Sequence, residues 1–233
     1  MPSAEVIGHS LASAALPVLM LDACAILDIV RSPARGDTAP AEHAAAVLRA
    51  HAAGACRLIH GSITAKEVAD HMAYAKRELH AHMERLEGDV LSANRVCDFL
   101  GVSTAKVTAG PWSADLPLLA ERLANGILSS AEAVAREDAR DVRAMERVII
   151  KRAPAARKSE AKDALLVEEY LDVARCARAK GLTAAMVLLT SNFTDFCDVD
   201  QKTRVHPQLE ADFQPVSLTL SLKWAQARRL LGL

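Results

Sequence analysis

LPVLMLDACAILDIV, residues 16–30, is an apolar run interrupted at Asp22 and then resumed. A parallel strand covered on both faces reads as nearly continuous apolar sequence, so the first half is a buried strand and the second the helix that follows it. Asp22 then stands at the carboxyl end of that strand, where open α/β sheets place their ligands. The same residue also suits the N-cap of the following helix, because an Asp side chain there satisfies free backbone donors. The choice turns on whether other carboxylates come to the same edge.

The chain has 233 residues, 51% of them hydrophobic, enough for one sizeable core, so a single domain over 1–233 is expected. Only 3% are aromatic, so that core is aliphatic and the composition favours an α-rich α/β fold over an all-β sandwich. A formal charge of −1 excludes a global field that pulls the chain onto nucleic acid or an anionic membrane; any site for a polyanion is local. Five cysteines without a CxxC pair argue against a disulfide framework and a structural zinc site, and fit reduced residues of a cytoplasmic protein. The apolar stretch 11–21 is not expected to be an export signal, because no Lys or Arg precedes Arg31 and Pro17 interrupts it. No apolar run is long enough to span a bilayer, so a soluble protein with no membrane partner is expected.

Beyond a loop over 31–37, residues 41–53 read as a helix ended by Gly54, and 56–60 as a short strand. Thr64 and Glu67 have capping-box spacing and open a helix reaching about residue 87. From about 89 to 158 the pattern is mainly helical, with breaks at 101–111 and 153–154 and one longer helix over about 130–150. A helix over about 159–180, stopped by Gly181, leads to a buried strand at 185–190; a weaker strand at 215–218 and a helix at about 220–230 close the chain.

Three further acids occupy places equivalent to that of Asp22. Glu67 and Asp163 lie in first helical turns after Thr64 and Ser159, and Asp195 lies in the polar turn after the 185–190 strand. Each has a local explanation in capping, helix-dipole or turn chemistry. Right-handed crossovers, however, bring such positions side by side at one edge of a parallel sheet. The stretches DACAILD (22–28), SITAKEVA (62–69), KDALLVE (162–168) and LLTSNFTDF (188–196) resemble, in order, the acidic motifs of PIN-domain ribonucleases. The long segment between the second and third acids makes the chain similar to the larger, helix-inserted members of that superfamily.

The resemblance implies a PIN-like, Rossmannoid parallel sheet flanked by helices, with a mainly helical insertion at about 89–158. It implies Asp22, Glu67, Asp163 and Asp195 as catalytic and metal-binding residues, Thr190 and Asn192 as supporting polar groups, and RNA as substrate. It further implies the toxin half of a toxin–antitoxin pair, with an antitoxin partner, and a homodimer as in small toxin relatives. Carboxylates crowded together need compensation, and oxygen ligands suit a hard divalent cation, Mg²⁺ or Mn²⁺, so a metal-dependent hydrolysis of phosphodiester bonds is the expected activity.

Lys151, Arg152, Arg157 and Lys158 precede the helix of Asp163 and are candidate phosphate contacts, against the plainer reading of a solvated loop. Arg136, Arg140, Arg143 and Arg147 recur at helical spacing among acids and read as a salt-bridged surface. His71, His80 and His82 lack metal-site spacing, and Leu165, Leu166, Tyr170, Val173 and Ala177 read as core. Two other functions stay open: a catalytically silent PIN-fold module that binds RNA or a protein, and an Asp-nucleophile phosphatase. The phosphatase needs a second Asp where Cys24 stands.

Overall fold

In the computed structural model, which describes residues 1–102, 108 and 110–233, a helix α1 (Ala4–Ala14) precedes the apolar run. The run itself divides into a strand β1 (Val18–Leu21) and a helix α2 (Ala23–Arg31). A 3-10 turn over Ser32–Arg35, α3 (Ala39–Ala52), β2 (Arg57–His60) and α4 (Thr64–Phe99) follow. Then come α5 (Trp112–Ser130), β3 (Glu132–Ala133), α6 (Asp138–Ile149) and α7 (Ala161–Ala179). The chain closes with β4 (Met186–Leu189), a single turn α8 (Phe193–Phe196), α9 (Pro207–Phe213), β5 (Leu218–Ser221) and α10 (Trp224–Leu230).

The strands form one sheet in the order β3-β2-β1-β4-β5, and every pairing is parallel. The fold is therefore α/β, with helices on both faces. β1 lies in the middle, and its side chains alternate: Val18 and Met20 join one core with Ile7, Leu11, Tyr170 and Phe213, while Leu19 and Leu21 join the other with Ile26, Val47, Leu79 and Ile127. Burial of all four β1 residues explains why the run lacks polar alternation.

Several sequence expectations need correction. The capping box at Thr64 and Glu67 does not form: Ile63 holds the cap position, and Thr64 is buried in the first turn. The helix it opens continues through Gly88 to Phe99 instead of ending at about residue 87, and Glu87 accepts from Ser113 N at 2.6 Å, tying α4 to the start of α5. The expected helix over about 130–150 is a strand followed by a shorter helix; β3 pairs with Ile59 and His60, and this pairing overrides the helix preference of Glu132 and Ala133. The segment at about 89–158 is mainly helical with the two-residue β3 added, and α5 buries Ala120, Ala124 and Ile127 in the same core as Leu19. The last strand begins at Leu218, three residues later than expected, after a 3-10 turn over Gln214–Val216. The N-terminal helix α1 was not foreseen. Residues 103–107 and 109 of the expected break at 101–111 lie outside the described residues.

Gly54 and Gly181 do follow their helices with φ of 74° and 91°, the left-handed conformation expected of helix stops. All five cysteines are free.

The arginines of α6 are not a surface. Arg140 and Arg147 are buried, and the row is paired chiefly with other helices: Arg140 Nε donates to Asp172 at 3.0 Å, Arg143 Nε to Glu168 at 2.8 Å, Arg147 Nε to Glu168 at 2.5 Å, and Arg147 meets Asp212 at 2.8 Å. Only Arg136, paired with Asp141 at 2.9 Å, fits the expected exposed bridge.

Tyr170, fully buried on α7, donates its hydroxyl proton to Leu21 O at 2.5 Å and accepts from Gly61 N at 3.0 Å. It joins the carboxyl ends of β1 and β2. Replacing Tyr170 with Phe leaves two buried backbone groups unpaired and is expected to cost roughly 1–3 kcal/mol, read as a lower urea midpoint with unchanged slope.

Candidate active site at the carboxyl edge of the sheet

Asp22, Glu67, Asp163 and Asp195 all line one pocket of about 300 Å³ at the carboxyl ends of the strands, together with Asn192 and Cys24. The four acids come from four separate segments: the β1–α2 junction, the first turn of α4, the first turn of α7, and α8 after β4. Parallel pairing aligns the first and last of these, since Leu21 lies opposite Leu189 and Asp22 N donates to Leu189 O at 3.0 Å.

Asp22 occupies the N-cap position of α2 but makes no side-chain cap bond. Its Oδ2 instead accepts from Thr190 Oγ1 at 2.6 Å and from the Cys24 thiol at 2.7 Å. Thr190 Oγ1 also accepts from Asn192 N at 3.0 Å, and the Cys24 sulfur from Ser191 N at 3.1 Å. The capping explanation for Asp22 therefore fails, and the turn after β4 is what holds its carboxylate. Burial, reinforced by the Asp22 charge, pushes the Cys24 thiol well above its ordinary range, so it remains a donor. The position where a phosphatase of the Asp type carries its second acid thus serves the first one as a hydrogen-bond donor.

Asn192 does three things at once. Its Oδ1 accepts from Asp195 N at 3.3 Å and caps α8, while its Nδ2 donates to Asp163 at 2.9 Å and to Asp195 at 3.0 Å. One amide thus spans two carboxylates that repel each other. Asp195 is buried, with Oδ1 unpartnered among the described residues, and the Lys158 ammonium stands 3.9 Å from its other oxygen. Burial pushes the Asp163 carboxyl up to about 8, and the neighbouring Asp22, Asp195, Glu160 and Glu67 charges add to the effect. Glu67 stands at the margin, paired with Lys162 at 3.0 Å.

Of the expected phosphate contacts, Lys158 alone lines the pocket. Arg152 is committed to Asp212 at 2.5 Å, and Lys151 and Arg157 are exposed away from the pocket's lining. Arg31 and His71 line it unforeseen, and Arg31 Nε is buried without a partner among the described residues. A cation one helix length after Asp22 was the only sequence signal for Arg31. His80 instead donates to Ser113 O at 2.7 Å, at the start of α5.

Comparison of the chain with protein-family models, with curated proteins and with solved structures finds no match.

Among the described residues no group of three or more His, Cys, Asp and Glu side chains is arranged to hold a metal ion. The donor chemistry nevertheless fits a hard divalent cation. The four acids offer oxygen alone, one buried oxygen of Asp195 lacks a donor, and the Asp163 carboxyl, raised by burial and then by the neighbouring acids, is one whose ionised form a cation would favour.

The shift at Asp163 has a consequence for stability. The unfolded chain loses this proton near 3.8 and the folded protein near 8, so the unfolded state is favoured as pH rises between the two and the penalty persists above them. Without added divalent cation, Asp163→Asn is expected to melt above the wild type at about pH 8 and to converge with it at about pH 4, as followed by circular dichroism.

Proposed function

We propose that this chain is a metal-dependent ribonuclease on a PIN-like fold, hydrolysing RNA phosphodiester bonds at the acidic pocket. The observation that carries the reading is the convergence of Asp22, Glu67, Asp163 and Asp195, from four separate segments, on one pocket. Asp22 and Asp163 would hold Mg²⁺ or Mn²⁺, with Asp195 and Glu67 completing the oxygen set. When bound, such a cation supplies Lewis acidity toward the phosphate and a stronger water nucleophile at neutral pH.

The protein's own groups have separable tasks. Thr190 and Cys24 fix the Asp22 carboxylate, and Asn192 fixes Asp163 relative to Asp195. Burial and the neighbouring acids raise the Asp163 carboxyl to about 8, so a cation held there would couple its binding to proton release. Arg31 and Lys158, the cations of the pocket lining, are placed to receive the phosphate backbone without reading base sequence. RNA as substrate, and the toxin half of a toxin–antitoxin pair as biological role, rest on the resemblance of the four motifs to PIN-domain ribonucleases.

A second reading, a PIN-fold module that binds RNA or a partner protein without cleaving, is favoured by one feature: Phe99 and Leu100, at the end of α4, are 90% and 64% exposed. Cleavage of a mixed RNA pool separates the two. Wild type with Mn²⁺ is expected to cut, chelator to abolish cutting, and identically purified Asp163→Asn to fall at least about a hundredfold. Equal activity in wild type and variant refutes the site assignment. Cation binding is checked separately: Mn²⁺ at about a hundred times its Kd should stabilise the wild type by roughly 3 kcal/mol against thermal unfolding. Asp163→Asn should gain much less.

A further inference from the structure

A second pocket, of about 290 Å³, lies beside the acidic one and shares Glu67 with it. Its walls come from the starts of α4 and α7 and from α6: Ile63, Ala144, Met145, Ala161 and Leu165 make an apolar floor. Lys66, Arg136 and Lys162 stand at its rim, each already paired with an acid of this chain, Asp70 at 2.5 Å, Asp141 at 2.9 Å and Glu67 at 3.0 Å. The rim is therefore neutral next to a site dense in carboxylates.

One floor residue, Met145, faces the pocket because of the unusual orientation of α6. This helix turns Arg140 and Arg147 inward and leaves Val142, Met145 and Ile149 between 50% and 72% exposed. An amphipathic helix ordinarily does the reverse. Apolar surface kept at the mouth of a polar site fits a ligand that has flat apolar faces and a polar edge.

We infer that this pocket receives a nucleobase, that of a nucleotide neighbouring the one whose phosphate lies at the carboxylates. The inference rests on the ribonuclease reading and adds a base subsite to it. Contiguity through Glu67 places the pocket within reach of the same strand. The neutral rim, its lysines paired with Asp70 and Glu67, suits an uncharged base beside a site whose carboxylates carry the charge. The Met145 thioether offers a polarisable surface to its π face.

The test uses a fluorescent single-stranded oligoribonucleotide of mixed sequence and a set carrying one abasic nucleotide at each position in turn. Binding is measured with the full chain bearing Asp163→Asn, in Mn²⁺. One position is expected to stand out, its loss weakening binding about tenfold. Adding Ala161→Phe, which fills the pocket from an exposed position, should weaken the intact oligonucleotide to the same degree and flatten the scan to within about twofold. Met145→Ala, also exposed, serves as the second variant and should reduce the contrast without changing charge. Melting temperatures of both variants check that they fold.

A flat scan with intact RNA still bound overturns the base subsite and leaves the ribonuclease reading standing. Persistence of the sensitive position in Ala161→Phe overturns it equally, placing the base elsewhere. Absence of RNA binding both in this variant and in wild type held in chelator overturns it outright, and cleavage by wild type in Mn²⁺ then shows whether the ribonuclease reading falls with it. Sedimentation of the same proteins covers the remaining occupant: self-association that both variants abolish, with RNA binding unchanged, assigns the pocket to a protein contact and overturns the proposal.

Discussion

The phenol of Tyr170 reaches from α7 to the ends of two strands, giving its proton to Leu21 and taking one from Gly61. Around this point the carboxyl edge of the sheet is fixed. Asp22 follows Leu21 directly, and Ser62, next after Gly61, donates its N–H to Glu169 on α7 at 2.9 Å. A side chain at Gly61 would meet Glu169 and Leu166 at 2.7 and 2.6 Å, so the turn after β2 lies pressed onto α7. The helix that carries Asp163 is thereby held to β1 and β2 at the edge where the acids meet, by contacts that involve none of the four acids themselves. Gathering carboxylates is unfavourable, and a scaffold that holds them in place from behind is what makes the gathering possible.

Much of the fold was legible because the two most central strands are short apolar runs covered on both faces, at 18–21 and 186–189. The positions of the acids were legible for the same reason: each follows a strand or opens a helix, and parallel order carries such places to one edge. What was not legible depends on contacts far apart in sequence. Glu132 and Ala133 look helical until β2 offers them a ladder, and the tie from Glu87 on α4 to Ser113 at the start of α5 shows only in the folded chain. Within the site, Thr190 and Asn192 could be named from their motif, but the thiol of Cys24 as a donor to Asp22, and Lys162 as the partner of Glu67, required the folded chain.

The inward arginines of α6 mark the limit of reading charge from spacing alone. A helical row of Arg among acids suggests solvent, yet Glu168 and Asp172 on α7 and Asp212 on α9 draw it inside. Such buried pairs contribute little net stability compared with apolar packing, but removing one partner alone is strongly unfavourable, by about 3–5 kcal/mol. They therefore act as a register lock. α6 has one rotation about its axis that satisfies all of them, and that rotation decides which of its side chains face outward.

The order of the strands also bears on synthesis. β1 lies at the centre, but one of its two neighbours, β4, follows it by more than 160 residues, as the Asp22–Thr190 bond at a separation of 168 records. Contacts so distant along the chain form late, because loop closure comes before any return from them. A chain emerging from the ribosome thus carries Asp22 and Glu67 long before Asp163, Asn192 and Asp195 exist to join them. Until the chain reaches Thr190 and Asn192, the Asp22 carboxylate lacks its hydroxyl donor and the pocket lacks the turn that completes it.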